Sequence, residues 1–308
     1  MLIYLQKNER NVPSFAFFFS PEKAYIYRKL IQTYFAMIEI PESAVLARQA
    51  GQTLAGRTIA AVLPPSSPHK FTWYNGDPSG YDRMLAGKKI CSAEGFGAFV
   101  ELVLQDDTRL LIGDGTNMRY YGLEECCPEK FQLALTLDDG ACLVFTVAMY
   151  GGIYAYRGVF DNLYYRTAKS KVSPLDGRFD RAYFEALLAG EEKDVSVKAA
   201  LATRQRIPGL GNGVLQDILF RAGVHPRRRI STLDGQDREN LFLSVKDTLA
   251  EMVAGGGRDT EKDLFGQAGK YRSVLSKNTY KLPCPVCGGA IVKEAYLGGA
   301  VYFCPNCQ

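Results

Sequence analysis

The 308-residue sequence lacks any apolar run long enough to cross a membrane. The longest near its start, Phe15 to Phe19, has five residues, whereas a transmembrane helix needs about 20. A signal-peptide core is missing too: the opening stretch carries Lys7, Glu9 and Arg10 and no clean apolar segment of about 7–15 residues before a small-residue cleavage site. A reducing cytoplasm, with no membrane partner, is therefore expected. Strong net charge is also absent. Thirty-seven Lys+Arg against 33 Asp+Glu leave a formal +4, too mild to establish a nucleic-acid partner by itself. There is no repeat or low-complexity segment, and 47% hydrophobic with 23% charged residues excludes a disordered tail protein or a collagen-like chain. The length suits about two domains with a core that needs no staples.

Against those absences stand eight cysteines, four scattered (Cys91, Cys126, Cys127 and Cys142) and four in a tight terminal pattern. In a reducing compartment such spacing favours a metal over disulfides. Cys284-Pro-Val-Cys287 and Cys304-Pro-Asn-Cys307 each place two thiolates on one side of a turn, and the two knuckles together complete a tetrahedral shell for one structural zinc ion. Between them Ala290–Lys293 and Val301–Phe303 read as strands joined at Gly298-Gly299, a β-hairpin zinc finger. Such a closed shell leaves no open position for catalysis.

The rest of the chain changes character along its length. Residues 1–36 are aromatic-rich and aperiodic. Ala44–Gly51 reads as a helix with Ser43 as N-cap and Gly51 closing it. Strand-like runs follow at Thr58–Leu63, Lys89–Cys91, Ala98–Leu104, Arg109–Ile112 and Cys142–Val147, with connections that suit an antiparallel domain; Tyr150–Tyr156 reads as loop or strand. After a linker near Ser173-Pro174 the period turns helical, at Tyr183–Leu188, Val195–Arg206, Gly213–Ala222 and Asn240–Val253. Charge follows the same division: residues 198–283 carry a net +6, the finger is neutral and residues 1–197 carry −2. The fold class is thus α+β, with an N-terminal domain at 37–172, a helical domain at 173–283 and the finger at 284–308.

Ile207-Pro-Gly-Leu-Gly-Asn-Gly213 joins two of the helices. Gly209 and Gly211 allow a sharp turn and a close ligand approach, and the N–H groups opening the next helix would form a phosphate site. Asn212 is placed to cap that helix or to hold a phosphate. The helix is followed by Arg227, Arg228 and Arg229. Glycine turn, arginine cluster and finger together point to DNA held through its phosphates; the bland alternative is a plain helix hairpin.

Three segments, Glu39-Ile-Pro-Glu42, Ile207–Pro226 and 284–307, resemble the formamidopyrimidine-DNA glycosylase and endonuclease VIII family, which excises oxidised bases. The resemblance implies an N-terminal β-sandwich with flanking helices, a helix–two-turns–helix DNA-binding domain, a cleft between them and a target nucleotide flipped from the stack. It makes double-stranded damaged DNA the partner, base excision repair the process, a monomer the working unit and the nucleoid its surroundings. In that family the chain opens Met-Pro-Glu-Leu-Pro-Glu, the exposed proline amine attacks the sugar C1′, and the glutamate acts as acid and base. Glu39 matches that glutamate, Glu42 the second acidic position, and Lys198, Gly211 and Asn212 match DNA-side positions.

Several positions depart from the pattern. Ile38 stands where the family has proline. Recognisable sequence starts at Met37, so translation is expected to begin there, with 1–36 upstream or non-native and the Met37 amine as nucleophile. The family's hairpin lysine falls at Ala98, its finger arginine at Gly299 and its void-filling arginine near Met149–Gly152, where Tyr150 is a candidate stacking platform. The helical glutamate is Asp217. Lys88 or Lys89 is a candidate substitute amine. These losses support a second reading, a paralogue that binds damaged or abasic DNA without cutting it.

Overall fold

The computed structural model describes residues 37–113, 115–190 and 194–308; the expectations for 1–36 lie outside the described residues. The first half is built on α1 (Ile40–Leu54), β1 (Ile59–Leu63), β2 (Thr72–Tyr74), α2 (Tyr81–Leu85), β3 (Ile90–Phe96), β4 (Phe99–Leu104), β5 (Thr108–Ile112), β6 (Thr116–Tyr121), β7 (Leu133–Leu137), β8 (Cys142–Val147) and β9 (Gly151–Arg157). A four-stranded sheet of order β1-β7-β8-β6 faces a five-stranded sheet of order β2-β9-β5-β4-β3. Every pairing is antiparallel except β2 with β9. Ile59, Leu135 and Phe145 from one sheet meet Leu102, Leu110 and Ile153 from the other in one apolar core, the expected sandwich.

The second half holds α3 (Leu163–Ser170), α4 (Arg181–Ala189), α5 (Val197–Ala202), α6 (Asn212–Ala222) and α7 (Gly235–Ala254). Its own core joins Phe184, Leu201, Leu215, Ile218, Leu241 and Leu249. The residues before α1 tie the two cores together. Ile38 is buried in the sandwich core and Ile40 in the helical one, while Glu39 between them turns toward α6. Position 38 is thus a core position, and a bulky apolar residue there buries surface.

Finger strands β10 (Val292–Tyr296) and β11 (Gly299–Phe303) pair in register from Val292↔Phe303 to Tyr296↔Gly299. Leu297 and Gly298 fill the turn with φ of 49° and 77°, the two-residue hairpin geometry that matches strand twist. The strand limits therefore lie up to three residues from the expected ones, and the turn is shifted by one.

Three local expectations need correction. α1 starts four residues early because Glu39 is its N-cap and Pro41 occupies the first turn, where its missing N–H costs nothing. Ser43 is inside the helix and donates to the Phe99 carbonyl at 2.6 Å, and Gly51 is interior. α5 is shorter than expected: Arg204 and Gln205 adopt φ of 56° and 53°, which ends the helix.

Candidate functional site

A cleft of about 430 Å³ opens where the β3–β4 turn, the 207–213 loop, the 258–277 loop and strand β11 converge. That volume falls in the range of sites that bury a small ligand. Met37, Glu39, Ala98, Asn212, Arg258 and Glu261 are on its wall.

Glu39 is the organising residue. Its Oε1 accepts the Gly213 N–H at 2.9 Å and its Oε2 the Val214 N–H at 2.8 Å. The carboxylate thus takes the anion position at the N-terminus of α6. This corrects the expectation that those N–H groups stand open for a phosphate. It also gives the glycines a different purpose: a Cβ at Gly211 or Gly213 would collide with Glu39 or Arg258, and Gly209, at φ +79°, packs against the Gly97 backbone. The glycine-rich loop is shaped by the approach of the sandwich to the helical half. Asn212 does not cap α6; Gly211 is the N-cap and the Asn212 amide lies under Gly299 at the finger turn, on the cleft wall.

Arg258 is buried beneath Glu39. Its Nε and Nη2 donate to Glu42 at 2.9 and 2.7 Å, and its Nη1 lies 3.4 Å from Glu39 Oε2. Glu42 therefore serves an internal ion pair, and its other role is to accept the Glu39 amide at 3.3 Å. Burial pushes the Glu39 carboxyl above its ordinary value, against the pull of Arg258 and the two α6 amides. Burial disfavours the Arg258 charge, but Glu39 and Glu42 outweigh it and hold the guanidinium firmly protonated. Glu261 accepts the Met37 N–H at 3.0 Å, and burial raises its carboxyl to about 8.

The remaining expected residues scatter around this centre. Lys198 is 2% exposed, and its Nζ donates to the Tyr296 carbonyl at 2.7 Å, so it anchors the finger and does not present an ammonium at the surface. Burial lowers it to about 8. Gln216 clamps β11 from the other side, donating to Ala300 O at 3.0 Å and accepting from Tyr302 N at 3.1 Å. Asp217 is buried and accepts Val274 and Leu275 N–H groups at 2.9 and 2.7 Å, which pins the cleft's far loop to α6. Arg227 pairs with Glu294 at 3.0 Å beside the finger, Arg228 with Asp237, and Arg229 donates to the Asp194 carbonyl at 2.6 Å; Arg227 and Arg229 stay exposed. Lys88, paired with Asp106 at 2.8 Å, and Lys89 do not line the cleft; the lysine on its wall is Lys277. Tyr150 is not on the cleft wall; its hydroxyl is 3.9 Å from the Sδ of Met37, which is, and its ring 6.2 Å from that of Trp73.

Cys284, Cys287, Cys304 and Cys307 offer sulfurs that all lie within 4.8 Å of one another. The 3.7 Å Cys284–Cys307 and 3.4 Å Cys287–Cys304 spacings approach the roughly 3.8 Å edge of a tetrahedron with about 2.3 Å metal–sulfur bonds. The set can hold a metal ion. Cys126 and Cys127 are exposed and stand apart from this cluster.

The fold and this site define a helix–two-turns–helix protein: residues 171–263 match the model of the formamidopyrimidine-DNA glycosylase H2TH domain. Curated relatives extend the likeness along the chain. The formamidopyrimidine-DNA glycosylases of Shouchella clausii and Bacillus subtilis are 28% and 27% identical, each over 88% of this chain and 99% of their own length. Among solved structures, MutM (Fpg) of Thermus thermophilus superposes with a TM-score of 0.72 at 24% identity, covering 88% of this chain and 98% of its own. Lactococcus lactis Fpg in complex with DNA containing an abasic site gives 0.74 at 21%, covering 88% and 99%. Over most of its length the chain is similar to formamidopyrimidine-DNA glycosylases, and residues 171–263 carry their H2TH domain.

Proposed function

We propose that the chain is a DNA glycosylase of base excision repair that binds damaged duplex DNA as a monomer beside the nucleoid. It extrudes the damaged nucleotide into the cleft and releases an oxidised or ring-opened base. The observation that carries this reading is Glu39: a buried carboxylate on the wall of a nucleotide-sized cleft, fixed by two α6 amides and Arg258. So held, it can stabilise positive charge developing on the sugar and accept a proton from an attacking water. The relatives' names supply the substrate class. Asn212 on the cleft wall is offered to the extruded nucleotide's phosphate, and exposed Arg227 and Arg229 beside the finger to flanking phosphates. Lys198 acts by positioning the finger, which the four thiolates would brace around zinc.

Strand scission by an amine is a separate matter. A Met37 nitrogen bonded into a peptide has no nucleophilic lone pair, whereas a chain starting at Met37 would place its amine on the cleft wall. Ala98 on the cleft wall and Gly299 at the finger turn favour the second reading, binding without cleavage, because neither supplies a cation to the lesion.

One experiment separates these readings. The intact chain is incubated with duplexes carrying an oxidised pyrimidine, a ring-opened purine or an abasic site, and free base is measured by chromatography alongside borohydride trapping. Base release is expected, with a covalent adduct only from preparations whose intact mass begins at Met37. Tight binding with neither base nor adduct would establish the non-cutting reading.

A further inference from the structure

Glu261 sits on the same cleft wall as Glu39. The groups facing it are Glu39 and Glu42 at the start of α1, Arg119 on β6, and Arg258 and Lys262 from its own loop. The Arg258 guanidinium is committed to Glu42 and Glu39, and its ion pairs do not extend to Glu261. What Glu261 has is the Met37 N–H at 3.0 Å. Three buried carboxyls gather around Arg258, with Arg119 the next cation facing Glu261, and uncompensated buried charge is expensive enough that such groups neutralise instead. The least costly relief is one proton, held by the carboxyl that makes no ion pair among the described residues.

Resting on the glycosylase reading above, we propose that Glu261 is the proton donor of the cleft, working with Glu39 as the proton acceptor. Glu261 gives its proton to the nitrogen of the departing base as the C1′–N bond breaks. A water oxygen bonds to C1′, and the Glu39 carboxylate takes the water's proton. Glu39 Oε1 lies against Gly211 and Gly213, which line the cleft with it. One water is consumed and the base leaves neutral. A proton then returns from Glu39 to Glu261 through cleft water, restoring both. Two carboxyls in different environments thereby divide acid and base work, and no amine is required of residue 37 or 38. Burial keeps the Glu261 carboxyl mostly protonated at neutral pH, with its titration raised to about 8.

Glu261→Gln tests this in the full chain, because glutamine keeps the shape and the acceptor for Met37 N–H but cannot titrate. Base release from an oxidised-base duplex should fall by about 10²–10⁴-fold in kcat with KM unchanged. The wild-type rate should decline on the alkaline side near pH 8, a limb the variant lacks, and Glu261→Asp should recover part of the rate. Stability should move the other way. Between the carboxyl's ordinary value of 4.5 and about 8 the folded wild type binds more protons than the unfolded chain, so its stability falls as pH rises through that window. The glutamine variant should lose this slope and melt higher than wild type at pH 8 while working more slowly.

A wild-type release rate in Glu261→Gln, or a loss that tracks lower melting or higher KM, overturns the proposal. If the variant does not fold, a wild-type pH profile without the alkaline limb overturns it equally. A wild type that binds every duplex and releases no base overturns the glycosylase reading, and this inference with it.

Discussion

Arg258 sits at the centre of the site's electrostatics, on the cleft wall beside Glu39. It neutralises Glu42 through two hydrogen bonds and stands 3.4 Å from Glu39, so both carboxylates depend on one guanidinium. Breaking a buried pair from one side leaves unpaired charge, which costs about 3–5 kcal/mol. Arg258→Ala is therefore expected to lose about that much in urea unfolding at pH 7; a loss below about 1 kcal/mol would mean that the pair behaves as an exposed one. Glu39 and Glu42 were legible in the sequence because they fall in a compact motif. Arg258 and Glu261 were not, since 216 residues separate Arg258 from Glu42 and no periodicity reports a contact across that distance. The available signal was Gly255-Gly-Gly-Arg-Asp-Thr-Glu-Lys, charges following a glycine run; Gly256 and Gly257 adopt φ of 73° and 101°, which turns the loop into the cleft.

Among the elements, local chemistry was legible and contacts between elements were not. The two cysteine knuckles specify a finger within 25 residues, and the helical half follows its apolar period. Short β2 and β7 carry little local signal because pairing with distant strands sets them, β2 with β9 and β7 with β1. The glycine loop is legible in the sequence but its reason is not: α6 receives its anion from the protein's own Glu39. The finger shows the same dependence, since β11 is held by Gln216 and its turn by Lys198. Removing the metal with a chelator should loosen β10 and β11, seen as faster amide exchange there, with the β-sandwich amides unchanged and duplex binding weakened. Unchanged exchange in the finger would show that α6 and α5 alone brace it, and that the cysteine cluster holds no structural zinc.

At the scale of the whole molecule, the mild +4 conceals a division of labour. The segment 198–283 carries a net +6 and the first 197 residues −2, which biases phosphate binding toward the helical half. Residues 38–40 couple that half to the sandwich: two buried isoleucines, one in each core, hold Glu39 at the seam where the cleft opens. Binding strain that separated the halves would therefore withdraw Glu39 from the α6 amides, so the placement of the carboxylate reports the closure of the site. The proposed work of this carboxylate is the removal of a damaged base. The most direct measurement is single-turnover release of free base from a ring-opened-purine duplex, with wild type and Glu39→Gln both in excess over DNA. Wild type should release the base, and the variant should bind the duplex equally while releasing it at least about 10²-fold more slowly. Equal rates in the two proteins, or binding by wild type with no base released, would contradict it.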